Sequence, residues 1–370
     1  MPRKKMRRRD FIKLSAASVG STGLPAQVMA DRVTRSDIRR IGIEEAFVTP
    51  EIVKAWTEVI NTPGLEPGYK RLGGLVHISP GGKRIVRKLQ ELGEPRLKDM
   101  EATGVDFQVI SIASPGVQVF EPDLGTGLAR EANDVLHDAV QKQPEKYAGL
   151  ATIAPQAPDA AAKELERCIN KLGFKGGLIN SHTKGEFLDN EKFYPLLEVA
   201  NDLKAPIYLH PRTPPPRMLE PYLDYDLYFA HWGFAAEASL HAVRLIFSGL
   251  FDRFPDLKFI LGHMGEGVPF WLQRMDDRFE MAKSLGTGSK MKKPPSAYFL
   301  ENFVITISGV QSPPALRLAL DTIGVERIFY AVDYPFEFGL AAQAFMDSVE
   351  ITDAERHQIY HGNAERLFGV

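Results

Sequence analysis

Cysteine is nearly absent: Cys168 is the single one in 370 residues. That excludes an internal disulfide framework and any zinc cluster built on thiolates. A charge excess of one sign is lacking too. Lysine plus arginine number 45 against 47 acidic residues, a formal net charge of −2, so nothing global points to nucleic acid. No apolar run approaches the roughly 20 residues that span a bilayer. Internal repeats and low-complexity tracts are missing as well. What is present is ordinary for a globular protein, with 44% hydrophobic and 25% charged residues. The length suits one long domain or two short ones with a sizeable core.

Residues 1–30 differ from the rest. Their basic side chains are Arg3, Lys4, Lys5, Arg7, Arg8, Arg9 and Lys13, against the lone acid Asp10. A weakly apolar stretch rich in Ala, Ser and Gly runs from Leu14 to Leu24, and Val28-Met29-Ala30 offers a small-residue cleavage site. This is the order of a secretory signal. Within it, Arg8-Arg9-Asp10-Phe11-Ile12-Lys13 resembles the twin-arginine export motif. The expectation is a signal at 1–30, the export machinery as partner, a mature domain at 31–370, and a periplasmic destination with no membrane segment in the mature form.

Past Arg40 the chain alternates short β-branched runs with longer helical patterns, the mark of a parallel sheet with crossover helices. Strands are expected at Ile41–Glu45, Phe107–Ile112, Ala148–Ile153, Gly177–Asn180, Pro206–Leu209, Lys258–Leu261, Val304–Ile307 and Ile328–Ala331. Helices are expected at Lys88–Thr103, Gly127–Lys142, Ala160–Lys171 and Phe193–Leu203. This α/β order predicts a (β/α)8 TIM barrel. A doubly wound open sheet is the alternative, but no Gly-x-Gly-x-x-Gly follows the first strand.

A barrel places its chemistry at the C-terminal ends of the strands. There the sequence has Glu44-Glu45-Ala46-Phe47, Leu209-His210-Pro211-Arg212, Gly262-His263-Met264-Gly265-Glu266 and Asp333-Tyr334-Pro335. Singly, each has a plainer reading. A histidine after a strand often serves only as a hydrogen-bonding group, and an aspartate before Tyr-Pro can be a turn residue. Strand alternation sends one of Glu44 and Glu45 inward and the other outward. Taken together, carboxylate and imidazole at four strand ends point to one divalent metal ion, with Mn²⁺, Zn²⁺ or Fe²⁺ suiting the donor set.

These segments, with Asp99–Asp106, Ser114–Gln118, Gly173–Gly176 and Asn180-Ser181-His182-Thr183, resemble the amidohydrolase superfamily over roughly Ile43 to Phe368. Within it, the likeness is to the metal-dependent aromatic acid decarboxylases of the 5-carboxyvanillate, γ-resorcylate and 2,3-dihydroxybenzoate kinds. The resemblance implies Glu44, His210 and Asp333 as ligands of one Mn²⁺ or Zn²⁺ and requires no organic cofactor. It makes His263 a base or hydrogen-bond donor beside the metal, and Arg274 the group that meets the substrate carboxylate, sometimes across a subunit interface. His182 and Tyr334 join Arg274 on the substrate side. The resorcylate branch carries a histidine where Ala46 stands, so that ligand is missing, as in the carboxyvanillate branch. Hydrolytic members usually begin with His-x-His and often use a lysine on the fourth strand; this chain has Glu44-Glu45-Ala46 and Asn180-Ser181-His182.

The implied activity is a carboxy-lyase (decarboxylase) reaction on a small hydroxylated aromatic carboxylate, by ring-carbon protonation and CO2 loss with Asp333 as the acid. Hydrolysis of a lactone, amide or ester by a metal-bound hydroxide is the alternative, and a non-catalytic binding barrel the third. A homodimer or tetramer is expected from Arg274 and the apolar residues of Val268–Leu272, and Glu66–Lys83 is expected to form part of a substrate-side lid.

Overall fold

Strand formation follows the apolar runs. In the computed structural model, which describes residues 38–370 apart from 288–290, nine short strands appear: β1 (Ile41–Phe47), β2 (Phe107–Ile112), β3 (Tyr147–Gly149), β4 (Ala151–Thr152), β5 (Gly177–Asn180), β6 (Ile207–His210), β7 (Phe259–Leu261), β8 (Phe303–Thr306) and β9 (Ile328–Phe329). The export segment expected at 1–30 lies outside the described residues. All the elements belong to the compact unit Arg39–Val370. β1 and β2 are buried along their whole length, which is why they read as continuous apolar runs rather than alternating ones.

Every paired strand is parallel, and neighbours follow chain order in two sets, β1-β2-β3 and β4 through β9. The sets join at Leu150, whose N–H donates to Ile110 O at 2.9 Å while Ala151 N–H donates to Gly176 O at 2.8 Å. β3 and β4 are thus the one strand expected there, broken at Leu150. At the other edge Ile43 N–H donates to Tyr330 O (3.2 Å) and Ala46 N–H to Tyr334 O (2.8 Å), so the last strand returns to the first.

The helices between strands open on proline, as at Pro50, Pro122, Pro158 and Pro313. Proline suits a first helical turn, where no N–H partner is needed and its fixed φ already matches. The helix expected over Lys88–Thr103 is corrected: the structure has two, Pro80–Gln90 and Glu94–Thr103. Pro95 cannot continue a helix arriving from upstream, because its ring meets the preceding turn and it lacks the N–H. Gly93 takes the extended break between them. No helix among the described residues is long and apolar enough to cross a membrane.

Candidate metal centre

The register of the strands brings distant residues together at their C-terminal ends. Glu44 sits within β1, His210 ends β6, His263 follows β7, and Asp333 follows β9. One ligand atom each from Glu44, His263 and Asp333 lie within 4.8 Å of one another. His210 Nε2 stands 3.7 Å from Glu44 Oε1, and His263 Nε2 is 3.7 Å from both Glu44 Oε1 and Asp333 Oδ2. The converging set is thus Glu44, His263 and Asp333, while His210, expected as the third ligand, is placed against Glu44 Oε1.

Glu44 is divided between two tasks. Its Oε2 accepts from the hydroxyls of Thr306 (2.9 Å) and Ser308. Its Oε1 is buried and has no hydrogen-bond partner. That oxygen faces His210, whose Nδ1–H is committed to Pro211 O at 2.8 Å, so His210 Nε2 presents a lone pair. Two acceptors facing each other across 3.7 Å repel unless a cation sits with them, and this donor set fits a single divalent ion. Burial alone would raise the Glu44 carboxyl, yet His263 and His210 hold it below its ordinary value. Burial pushes Asp333 up to about 7, against the pull of the His263 ring 3.7 Å away, and the neighbouring Glu44 charge adds to the rise.

Glu45 is equally buried but points the other way. Its Oε1 accepts from Val332 N–H at 3.0 Å, and burial raises its carboxyl to about 8.

His263 is held by an unusual backbone. Residues His263, Met264, Gly265, Glu266 and Gly267 all have positive φ, between 50° and 77°. Successive left-handed residues cost roughly 1–2 kcal/mol each for non-glycine side chains. The turn swings Glu266 back so that its Oε1 accepts from His263 Nδ1 at 2.7 Å. Asp333 is left-handed as well, at φ 68°. Strain stored at two clustered side chains is a mark of a working site. Glu266, Thr306, Ser308 and Tyr208, whose hydroxyl lies 3.4 Å from Thr306 Oγ1, were not singled out from the sequence. The one available signal was the glycine spacing in Gly262-His263-Met264-Gly265-Glu266-Gly267.

The three expected substrate-side residues have contacts of their own outside the Glu44 cluster. His182 is fully buried, with Nε2 at 3.0 Å from Thr213 O and Nδ1 accepting from Gly185 N–H, so both ring nitrogens are engaged by backbone. The Tyr334 hydroxyl donates to Asp99 Oδ2 at 2.8 Å, with the Arg96 guanidinium 4.7 Å from its ring centre. Arg274 is exposed on the helix Val268–Ser284 and lines an open cavity of about 550 Å³ with Leu240, Val243, Trp271 and Met275, away from the carboxylate–histidine cluster. Arg212, buried after β6, pairs with Glu66 and donates to His182 O. It thereby ties the expected lid segment, helical at Pro67–Gly73, to the strand end.

A parallel α/β architecture with carboxylates and histidines gathered at the strand ends defines a metal-dependent enzyme of the amidohydrolase class. The amidohydrolase family profile matches residues 76–370, and the chain belongs to that family. It is 36% identical over 344 residues to γ-resorcylate decarboxylase of Rhizobium sp. (strain MTP-10005), covering 89% of this chain and 98% of that one. It superposes with a TM-score of 0.87 on 5-carboxyvanillate decarboxylase from Sphingomonas paucimobilis, at 38% identity, covering 90% of this chain and 99% of that one. The 5-carboxyvanillate decarboxylase of Novosphingobium aromaticivorans DSM 12444, solved with manganese and 4-hydroxy-3-methoxy-5-nitrobenzoic acid, gives 0.87 at 37% identity, covering 90% and 97%.

Proposed function

We propose that the chain is a metal-dependent, non-oxidative decarboxylase of a hydroxylated aromatic carboxylic acid, built as an amidohydrolase-type (β/α)8 barrel. The observation that carries this reading is the unpartnered Glu44 Oε1 facing His210 Nε2 and His263 Nε2 at 3.7 Å. The manganese of the 5-carboxyvanillate relative and the absence of thiolate donors favour Mn²⁺ over Zn²⁺, with Glu44, His210 and Asp333 as ligands and His263 alongside. The twin-arginine pattern at Arg8-Arg9 supports export to the periplasm.

Direct loss of CO2 would leave an aryl carbanion, so the ring must first accept a proton. The bound ion supplies Lewis acidity that favours the phenolate form of the substrate hydroxyl. Asp333, a carboxyl at the strand end within the cluster, carries the proton and delivers it to the ring carbon bearing the carboxylate. The carbon–carbon bond then breaks, its electrons restore the aromatic ring, and CO2 departs. His263, aimed by Glu266, stands 3.7 Å from Asp333 Oδ2 and orients that carboxyl. Arg274 grips the carboxylate of a substrate in a neighbouring copy by paired N–H bonds; its exposure and its position beside Trp271 on an open cavity support a homodimer or a pair of dimers.

Metal analysis followed by a CO2-release screen over hydroxybenzoates tests the reading. Manganese-loaded wild-type protein should hold one Mn²⁺ per chain at the Glu44 cluster and release CO2. Asp333→Asn should retain substrate binding and lose turnover by several orders of magnitude. Undiminished CO2 release by Asp333→Asn would remove it as the acid.

A further inference from the structure

A second cluster of ligand-type side chains lies on the C-terminal helical segment, residues 353–368, far in sequence from the Glu44 cluster. His357 and His361 are four residues apart, so they share a helix face. His357 Nδ1 lies 3.3 Å from His361 Nε2, with the two rings nearly perpendicular at 81°. The turn between them widens to π geometry at Gln358–Gly362, a local distortion frequent at functional sites.

The third member decides how the pair is wired. His361 Nδ1 is 3.0 Å from Glu365 Oε2. An ionised carboxylate can only accept, so the Nδ1 proton of His361 belongs to Glu365 and Nε2 keeps its lone pair toward His357. Glu365 is itself held, since Arg39 Nη1 donates to its Oε1 at 2.9 Å. A carboxylate that orients a histidine and fixes its tautomer is the arrangement found behind metal-binding imidazoles. The spacing matches as well. Zinc–nitrogen bonds of about 2.0–2.1 Å in a tetrahedron put two nitrogens about 3.3–3.4 Å apart, the separation already present in the pair.

We infer that His357 and His361 form a second divalent-metal site, taking Zn²⁺ or a similar nitrogen-preferring ion, with Glu365 and Arg39 as its positioning groups. His357 is exposed and His361 half-buried, so the ion enters from solvent and water completes its coordination. On binding, His357 presents the Nδ1 lone pair by carrying its proton on Nε2. The site is placed to brace the fold. Ile359 O accepts from Tyr330 N–H at 2.9 Å, and Asn363 donates to Ile328 O at 2.7 Å, so the segment that would hold the ion is bonded to β9. An ion bound only by the folded chain raises its stability.

The test uses tag-free, manganese-loaded protein dialysed against micromolar Zn²⁺, with total metal per chain measured and thermal unfolding followed. Wild type should bind two ions per chain, and its unfolding midpoint should rise with Zn²⁺. His357→Asn and His361→Asn should each bind one ion, lose the Zn²⁺-dependent rise, and release CO2 at the wild-type rate. Glu365→Gln should keep the second site with affinity about 10–100-fold lower. A single ion per chain in wild type, leaving the pair as a plain His–His hydrogen bond, would overturn the inference. So would a second ion retained by both histidine variants.

Discussion

Glu44 can serve as a ligand because its two oxygens have different neighbours, and one glycine makes room for them. A Cβ on Gly262 would lie 2.9 Å from Glu44 Oε1 and 3.1 Å from Oε2, distances that force the carboxylate to move. Gly262→Ala should therefore fold and yet lose bound metal, as measured by metal content after gel filtration. Full metal occupancy would show that Glu44 tolerates the shift or does not hold the ion. At this scale the sequence was informative about ligand type and less so about support. Glu44, His210 and Asp333 stand out as carboxylate or imidazole at strand ends. Thr306 and Ser308 do not, because a hydroxyl from a neighbouring strand end becomes a partner of Glu44 only once the register is formed. His182 and Tyr334 show the converse: a polar side chain beside a strand end looks like a substrate contact until its hydrogen bonds to Thr213 O and Asp99 are seen.

Among the elements, the strands were the most legible. A parallel strand buried on both faces writes a continuous β-branched run, which is why Phe107–Ile112 and Gly177–Asn180 appear with the bounds expected. The break at Gly93 was missed because amphipathic spacing continues across it while Pro95 forbids the helix. The left-handed turn His263–Gly267 was invisible for another reason: backbone handedness is an outcome of packing, here of Gly265 against Ile305 and Pro269. Two glycines separate strain from fit. Gly267 (φ +77°) has nothing within 4 Å of an added Cβ, whereas at Gly265 the Cβ would lie 2.8 Å from Ile305. Gly267→Ala should cost about 1 kcal/mol and Gly265→Ala clearly more, by urea melts. Equal effects would argue that the turn relaxes rather than holding its handedness.

Buried histidines give the molecule an acid sensitivity separate from the metal centre. His77, stacked on Trp56 with ring centres 4.3 Å apart, is pushed down to about 4 by burial. Its folded value lies below the unfolded one near 6.5, so the unfolded chain takes up the proton first as pH falls. Stability from this group is complete above pH ~6.5 and is lost as pH drops toward its folded value. Relative to His77→Gln, the wild type should lose roughly 1 kcal/mol per pH unit between pH 6.5 and 4. Parallel stability curves for the two proteins would assign the acid response elsewhere.

The reaction itself is open to one decisive measurement on the whole molecule. Manganese-loaded protein is given a hydroxybenzoate that it turns over in D2O containing ¹⁸O, and both gas and aromatic product are analysed by mass. Proton delivery to the ring carbon predicts one CO2 per product molecule and one deuterium at the vacated carbon, with no ¹⁸O in the ring product. A product carrying solvent oxygen, formed without CO2, would contradict the decarboxylase assignment and make the same cluster a hydrolytic centre.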